Sequence, residues 1–398
     1  MKNVKCADNI NYASVIYYVA LAFKSVAIAM PHAFLTLIFL NKGMNYSQIA
    51  TIQAFYSLGV VAFEYPSGIL ADKYPKKYLY FFSSLLLMTC YLLVLNTNNY
   101  ALLILAWLIY GISTAMETGT IDADIIIWIK EKNCNEDVSS NISKFVGLTG
   151  QISSLSAIIG SCIGFLLYKI IDLNIYWVMF GLVLINGLLV ALFFKLPNTV
   201  SKAQTRNIMQ IVKDSLKEVK ENKILKYILL IFALLQMFLQ IHYQLWQSLF
   251  IEYGINPNWF IVIYLVFQFI TVVAYKVPVN KVLKRTSLPF GTIAIIAVVV
   301  MYVIHVPIIK VILYCVPIFV IAVISYFTEI KFNQIVNVSN ISSITSLLST
   351  VMRIFGFAVL LIAGRLIDLF SVNILFLVVP IIAMTAICFV VDRCLICD

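Results

Sequence analysis

The chain has 398 residues, 62% hydrophobic and only 12% charged, with a formal net charge of +10. A soluble domain is about 45–50% apolar and about 25% charged, so a mean hydropathy of +0.97 excludes a soluble enzyme, a disordered protein and a coiled coil. Its apolar residues form long runs instead of alternating with polar ones, which argues against an outer-membrane barrel and leaves an all-α polytopic membrane protein.

The apolar runs fall near residues 13–40, 46–71, 78–95, 101–128, 145–168, 174–194, 227–250, 259–279, 289–304, 311–330, 342–364 and 371–391. A bilayer core about 30 Å thick takes roughly 20 apolar residues per helix, so these runs predict twelve transmembrane helices. The first run is too long for the apolar core of a signal peptide. One long basic stretch interrupts the series. It divides the chain into a six-helix half over 1–196, a linker over 197–225 and a second six-helix half over 226–398. Within the linker, Ile208, Val212, Leu216 and Val219 recur at helical spacing, with Lys213, Lys217, Lys220 and Lys223 on other faces. That pattern predicts an amphipathic helix on an anionic membrane surface.

Basic residues set orientation. Of the 28 Lys and Arg, 22 fall on connectors that share a side with both termini, while Lys42, Lys169, Lys310 and Arg365 fall on the other and Lys24 and Arg353 lie within runs. Both termini are expected in the cytoplasm, and the positive charge is accounted for without nucleic acid. The eight cysteines show no zinc-type clustering, and Cys394 and Cys397 have Cys-x-x-Cys spacing without a thioredoxin-like context. His32 and His305 have no ligand-type neighbours. No metal, cofactor or catalytic constellation is expected, and the lack of a nucleotide-binding loop argues against an ATP-driven pump.

A charge at a helix centre costs about 2.5–3.5 kcal/mol on insertion scales, so each charge within a run is a functional candidate. At 1.5 Å per residue, Glu117 in the fourth run lies roughly 20 Å from Lys130 and about 25 Å from Tyr100, near mid-membrane. Asp122 and Asp124 are nearer the cytoplasmic interface. One continuous helix would set Glu117 and Asp124 on one face, with Asp122 about 140° away. In the seventh run Gln236, Gln240, Tyr243 and Gln247 form a polar stripe at helical spacing, with His242 and Trp246 to one side. The stripe either lines a watery cavity or bonds to adjacent helices. Tyr17 shares a face with Lys24 and Tyr110 with Glu117. Aromatic and amide groups around two charges suit an amphiphilic organic substrate better than a bare inorganic ion.

The second run ends in Glu64-Tyr65-Pro66-Ser67-Gly68-Ile69-Leu70-Ala71-Asp72-Lys73-Tyr74-Pro75-Lys76-Lys77. This resembles the signature of the major facilitator superfamily, Gly-x-Leu-Ala-Asp-Arg-x-Gly-Arg-Lys, with Pro75 in place of the second glycine. The resemblance covers the whole chain and implies alternating access between two six-helix halves. It gives Gly68 a role in close helix approach, sets Asp72 against a neighbouring helix end and makes Lys76 and Lys77 cytoplasmic anchors. Glu64 or Asp72 pairing with Arg353 would hold one gate state, with simple packing of the halves an equal alternative. The resemblance also brings Lys24 within reach of Glu117. Such a pair is either structural or a coupling element whose protonation drives a conformational change.

Marks of drug-exporting members are fainter. Gly111 is present in the fourth run, but Trp107 stands at the usual arginine position, and the fifth-run exporter motif is reduced to Gly160-Ser-Cys-Ile-Gly164 without proline. Thr118-Gly119-Thr120-Ile121-Asp122-Ala123 is similar to the Ser-Gly-x-x-Glu-Ala pattern of a bacterial exporter-like branch. Together these resemblances imply a monomeric secondary transporter of the bacterial plasma membrane, performing proton-coupled efflux of a lipophilic or cationic organic compound. Its partners would be protons, that substrate and the bilayer. Lys24, Glu117, Asp122 and Asp124 would couple protons, and Tyr17, Tyr110, Gln236, Gln240, Tyr243 and Gln247 would bind substrate. An importer of a nutrient, peptide or lipid-like molecule stays open. A sensor or enzyme on the same scaffold would need a recruited domain or catalytic residues, which the short connectors do not offer.

Overall fold

A computed structural model describes residues 2–132, 138–195, 219–279, 287–335 and 341–392. Residues 196–218, which hold most of the expected amphipathic linker helix, and the Cys394–Cys397 pair lie outside the described residues. Every described element is a helix. The series is α1 (Lys2–Ala29), α2 (Leu35–Asn41), α3 (Tyr46–Lys73), α4 (Lys76–Asn96), α5 (Tyr100–Glu117), α6 (Ile121–Lys132), α7 (Val138–Ile171) and α8 (Ile175–Phe193). It continues with α9 (Lys223–Glu252), α10 (Phe260–Ala274), α11 (Leu288–Val303), α12 (Pro307–Ile335), α13 (Ile341–Leu369) and α14 (Val372–Val391). Among the described residues, nine helical stretches are long and apolar enough to cross a membrane.

Two of the apolar runs are broken, against the expectation of continuous helices. The first stops at Ala29, and a turn around Pro31, closed by Phe34 N donating to Pro31 O at 3.0 Å, precedes α2. Proline lacks an amide donor and disfavours helical geometry in the residue before it. The fourth run breaks between α5 and α6. Thr118 caps α5 in a non-helical conformation and Gly119 takes φ +72°, the left-handed geometry that often ends helices. Thr118 N donates to Thr114 O at 3.1 Å and Thr120 N to Glu117 O at 3.2 Å, and the hydroxyls of the same two threonines add second bonds to those carbonyls at 2.9 Å and 2.6 Å. A Cβ at Gly119 would touch nothing, so the cost of adding one is conformational alone. Gly119→Ala should destabilise the protein by about 1–2 kcal/mol and Gly119→Asn by less, which melting of the purified protein will resolve.

The helices sort into two compact units, Met1–Ile38 with Phe55–Gln204 and Phe39–Ala54 with Thr205–Asp398. In the first, α1 packs along α7 and α8, and α4 along α5 and α8. Small residues permit this. A Cβ on Gly160 or Gly164 of α7 would stand 2.5 Å from Val26 O or 2.2 Å from Met30 O. Ser161 donates to Ala29 O at 3.0 Å. The Gly160–Gly164 pair is thus a backbone contact of the kind that lets membrane helices approach closely. Gly59 of α3 and Gly111 of α5 form a second such contact.

In the second unit, α9 packs on α12, α13 and α14, and α11 on α12 and α14. The Tyr46–Ala54 part of α3 belongs here: the Ser47 hydroxyl donates to Asp368 Oδ2 at 2.7 Å near the end of α13. Buried His242 shares a 3.0 Å hydrogen bond with the Tyr314 hydroxyl among Phe238, Phe250 and Phe267.

Candidate functional site

The break in the fourth run organises the first unit's charges. Glu117 is the last residue of α5, where the carboxylate adds to the negative end of the helix dipole. Asp122 and Asp124 occupy the first turn of α6, whose positive end favours them. An ammonium answers the Glu117 side: Lys24 Nζ of α1 forms a salt bridge with Glu117 Oε2, with Lys24 3% and Glu117 25% exposed. Lys24 Nζ also lies 5.2 Å from the Tyr80 ring centroid. Tyr80 donates to Asn186 Oδ1 at 2.8 Å, and Asn186 Nδ2 donates to the Ser84 hydroxyl at 3.1 Å. The buried lysine therefore has a counter-charge and an aromatic face, with a satisfied polar network behind that face.

On α6, Asp124 Oδ1 meets Lys76 Nζ at 2.8 Å, with both side chains largely buried. This corrects one expectation: Glu117 and Asp124 do not share one helix face, because the helix breaks at Thr118–Thr120 and Asp124 lies on α6. Pro75, with ψ 122°, precedes the start of α4 at Lys76, whose side chain bonds α6. Lys77 lies 5.2 Å from the Tyr78 ring centroid. Asp122 lies within electrostatic reach of Glu117 and Lys76.

Tyr17 is 8% exposed and packs with Ile121, Ile125 and Phe145, so its place is in the core and not on an open ligand-facing surface. The Tyr110 ring lies 4.8 Å from that of Tyr56. Gly68 also departs from expectation, since a Cβ there would meet nothing among the described residues and close approach falls to Gly59 and Gly111 instead. Glu64 Oε2 is buried without a hydrogen-bond partner, and so is Arg353 Nε. The Asp72 side chain lies outside the described residues.

The polar stripe of the second unit divides. Tyr243 is 58% exposed and Gln247 2% exposed. Gln236 and Gln240 line a cavity of about 370 Å³ with Thr345, Leu348, Ser349, Met352 and Arg353 of α13. Gln240 Nε2 donates to Gln236 Oε1 at 3.2 Å. Sequence reading missed Thr345 and Ser349: they stand four residues apart and four from Arg353, but Ser342, Ser343, Ser346 and Thr350 spread polar groups around the same segment, so no single polar face stands out.

Long apolar helices, discontinuous where charges cluster, define a polytopic helical membrane protein with ion pairs sunk inside it. Residues 16–339 match the sequence pattern of the Major Facilitator Superfamily, and the chain belongs to that family: it is a transporter, not an enzyme. No curated protein matches it in sequence. The fold is similar to that of the nucleoside transporter NupG, at TM-score 0.72 and 13% identity over 96% of this chain and 98% of that one. A bacterial homologue of the human lysosomal transporter Spinster, in an inward-facing and unoccupied conformation, aligns at TM-score 0.67 and 11% identity over 98% and 95%. The human organic anion transporter MFSD10 aligns at TM-score 0.59 and 12% identity over 96% and 99%.

Proposed function

We propose that the protein is a proton-coupled exporter of a small amphiphilic organic compound. In this reading twelve helices cross a bacterial plasma membrane as two six-helix halves, 1–196 and 226–398, with the linker 197–225 and both termini in the cytoplasm. The protein acts as a monomer by alternating access. The observation that carries the reading is the buried Lys24–Glu117 pair at the break of the fourth run. While Glu117 is ionised, the pair is neutral overall and Lys24 stays buried. Protonating Glu117 leaves an ammonium without its counter-charge in a low-dielectric setting, which favours a rearrangement that rehydrates it. Asp122 and Asp124 assist at the start of α6, and the Asp124–Lys76 bridge ties that helix to α4. Gly68 and Asp72 serve the gate, while Gln236 and Gln240 contact cargo. A small organic cargo agrees with the nucleoside transporter and the organic anion transporter of like fold, and the exporter-like pattern from Thr118 to Ala123 supports outward direction.

The test uses energised cells expressing the wild-type chain or Glu117→Gln, loaded with a fluorescent lipophilic cation or a fluorescent lipophilic anion. Wild-type cells should accumulate less of one dye, and the difference should vanish in the variant and when the proton gradient is collapsed. Higher accumulation than in empty cells would reverse the direction to import. Accumulation of both dyes equal to that in empty cells would remove broad export.

A further inference from the structure

The cavity between α9 and α13 carries a chemical preference that the coupling pair does not. Three polar side chains of α13, Thr345, Ser349 and Arg353, face Gln236 and Gln240 across it, and Leu348 and Met352 supply apolar wall. None of these lining residues is acidic. Arg353 lines the cavity half-buried, and its Nε is buried without a hydrogen-bond partner, so the guanidinium keeps an unused donor. With Gln240 donating to Gln236 Oε1, the Gln236 amide nitrogen is a further donor on the opposite, α9 wall. Donors and one fixed positive charge thus line a cavity with no carboxylate among its described lining residues. A cationic compound would meet uncompensated repulsion here. A carboxylate or phosphate would gain charge-assisted bonds in the fork geometry that arginine presents.

We propose that this cavity binds an organic anion, with the carboxylate or phosphate oxygens on Arg353 and Gln236 and the apolar body against Leu348 and Met352. The cargo of the proposed exporter is then an amphiphilic anion and not a cation, and Arg353 is a binding residue as well as a gate candidate. The proposal rests on the reading of the chain as an exporter of organic compounds.

Gly356 of α13 offers an independent handle. A Cβ there would lie 2.9 Å from Gln240 Nε2, 3.1 Å from its Cδ and 3.2 Å from its Cγ, all side-chain atoms, so Gly356→Ala must shift the whole Gln240 side chain and its amide while meeting no backbone atom among its nearest contacts.

Binding is measured on the full-length protein in phosphatidylcholine nanodiscs without any gradient. The probes are 2-naphthoate, 2-naphthylmethanol and 2-naphthylmethylammonium, which share a ring system and differ in charge. Naphthoate should bind best. Arg353→Gln should weaken it at least about tenfold, Arg353→Lys should retain part of the affinity, and Gly356→Ala should weaken it while melting stays at the wild-type value. Replacing half the lipid with phosphatidylglycerol, in high salt to screen surface repulsion, separates the sources: weakened naphthoate binding identifies an anionic lipid headgroup as occupant, and unchanged affinity identifies a cargo anion. Equal binding of the three probes, tightest binding of the ammonium, or indifference to Arg353→Gln overturns the proposal. The double variant Lys24→Met, Glu117→Gln, which removes the coupling pair without orphaning a charge, should keep the anion preference, so failed coupling and failed anion recognition are told apart.

Discussion

Glu117→Gln is expected to abolish gradient-driven transport and to cost about 3–5 kcal/mol of stability, because it leaves the Lys24 ammonium buried without a counter-charge. Lys24 is 3% exposed, so water offers little substitute for the lost carboxylate. The double variant Lys24→Met, Glu117→Gln removes the orphaned charge along with its partner. Replacing a buried ion pair by neutral groups of similar volume is often neutral or stabilising, so melting should return to near the wild-type value. Transport should not return. That divergence separates a coupling pair from a structural one: a pair that merely holds α1 to α5 would recover activity together with stability. Melting in nanodiscs and flux driven by an imposed pH gradient in proteoliposomes read the two effects independently. A double variant that transports against its substrate gradient would remove Glu117 from proton coupling.

The helical class and the residues of the buried pair were legible in the sequence, for a physical reason. Apolar runs report the bilayer directly, and an isolated Lys or Glu inside such a run is costly enough to announce a role. The break between α5 and α6 was less legible. Thr118-Gly119-Thr120 has the composition of a helix C-cap, but an apolar run read by hydropathy alone passes over it. Missing the break gave Glu117 and Asp124 a common face, whereas Asp124 bonds Lys76. No local pattern encodes that partner, since it comes from the start of another helix. Likewise Tyr17 shares a helix face with Lys24, but face-sharing does not say whether the surface is open, and Phe145 and Ile121 close it. Tertiary packing decides these cases.

Close packing also decides which glycines the protein can spare, and here the expected effects diverge most. A Cβ on Gly111 would stand 2.1 Å from Tyr56 O and 3.0 Å from Gly59 Cα, and one on Gly59 would stand 2.3 Å from Leu108 O. These neighbours are backbone atoms, which cannot swing aside as a side chain can. Gly111→Ala must therefore separate α3 from α5, at a cost at or above the top of the usual 1–3 kcal/mol for overpacking, about 3 kcal/mol or more. Little folded protein should be recovered from membranes, and what remains should melt well below wild type. Gly68 sits in the same helix as Gly59 and belongs to the family signature, yet its Cβ would meet nothing. Alanine is the better helix former by about 0.8–1 kcal/mol, so Gly68→Ala should melt at or above the wild-type temperature. Flux measured on that well-folded variant then isolates the signature's role. Intact flux would show that Gly68 serves no step of the cycle. Lost flux with intact melting would mean that this glycine is needed in another arrangement of the helices, one in which α3 draws close to a neighbour at Gly68 as it does here at Gly59.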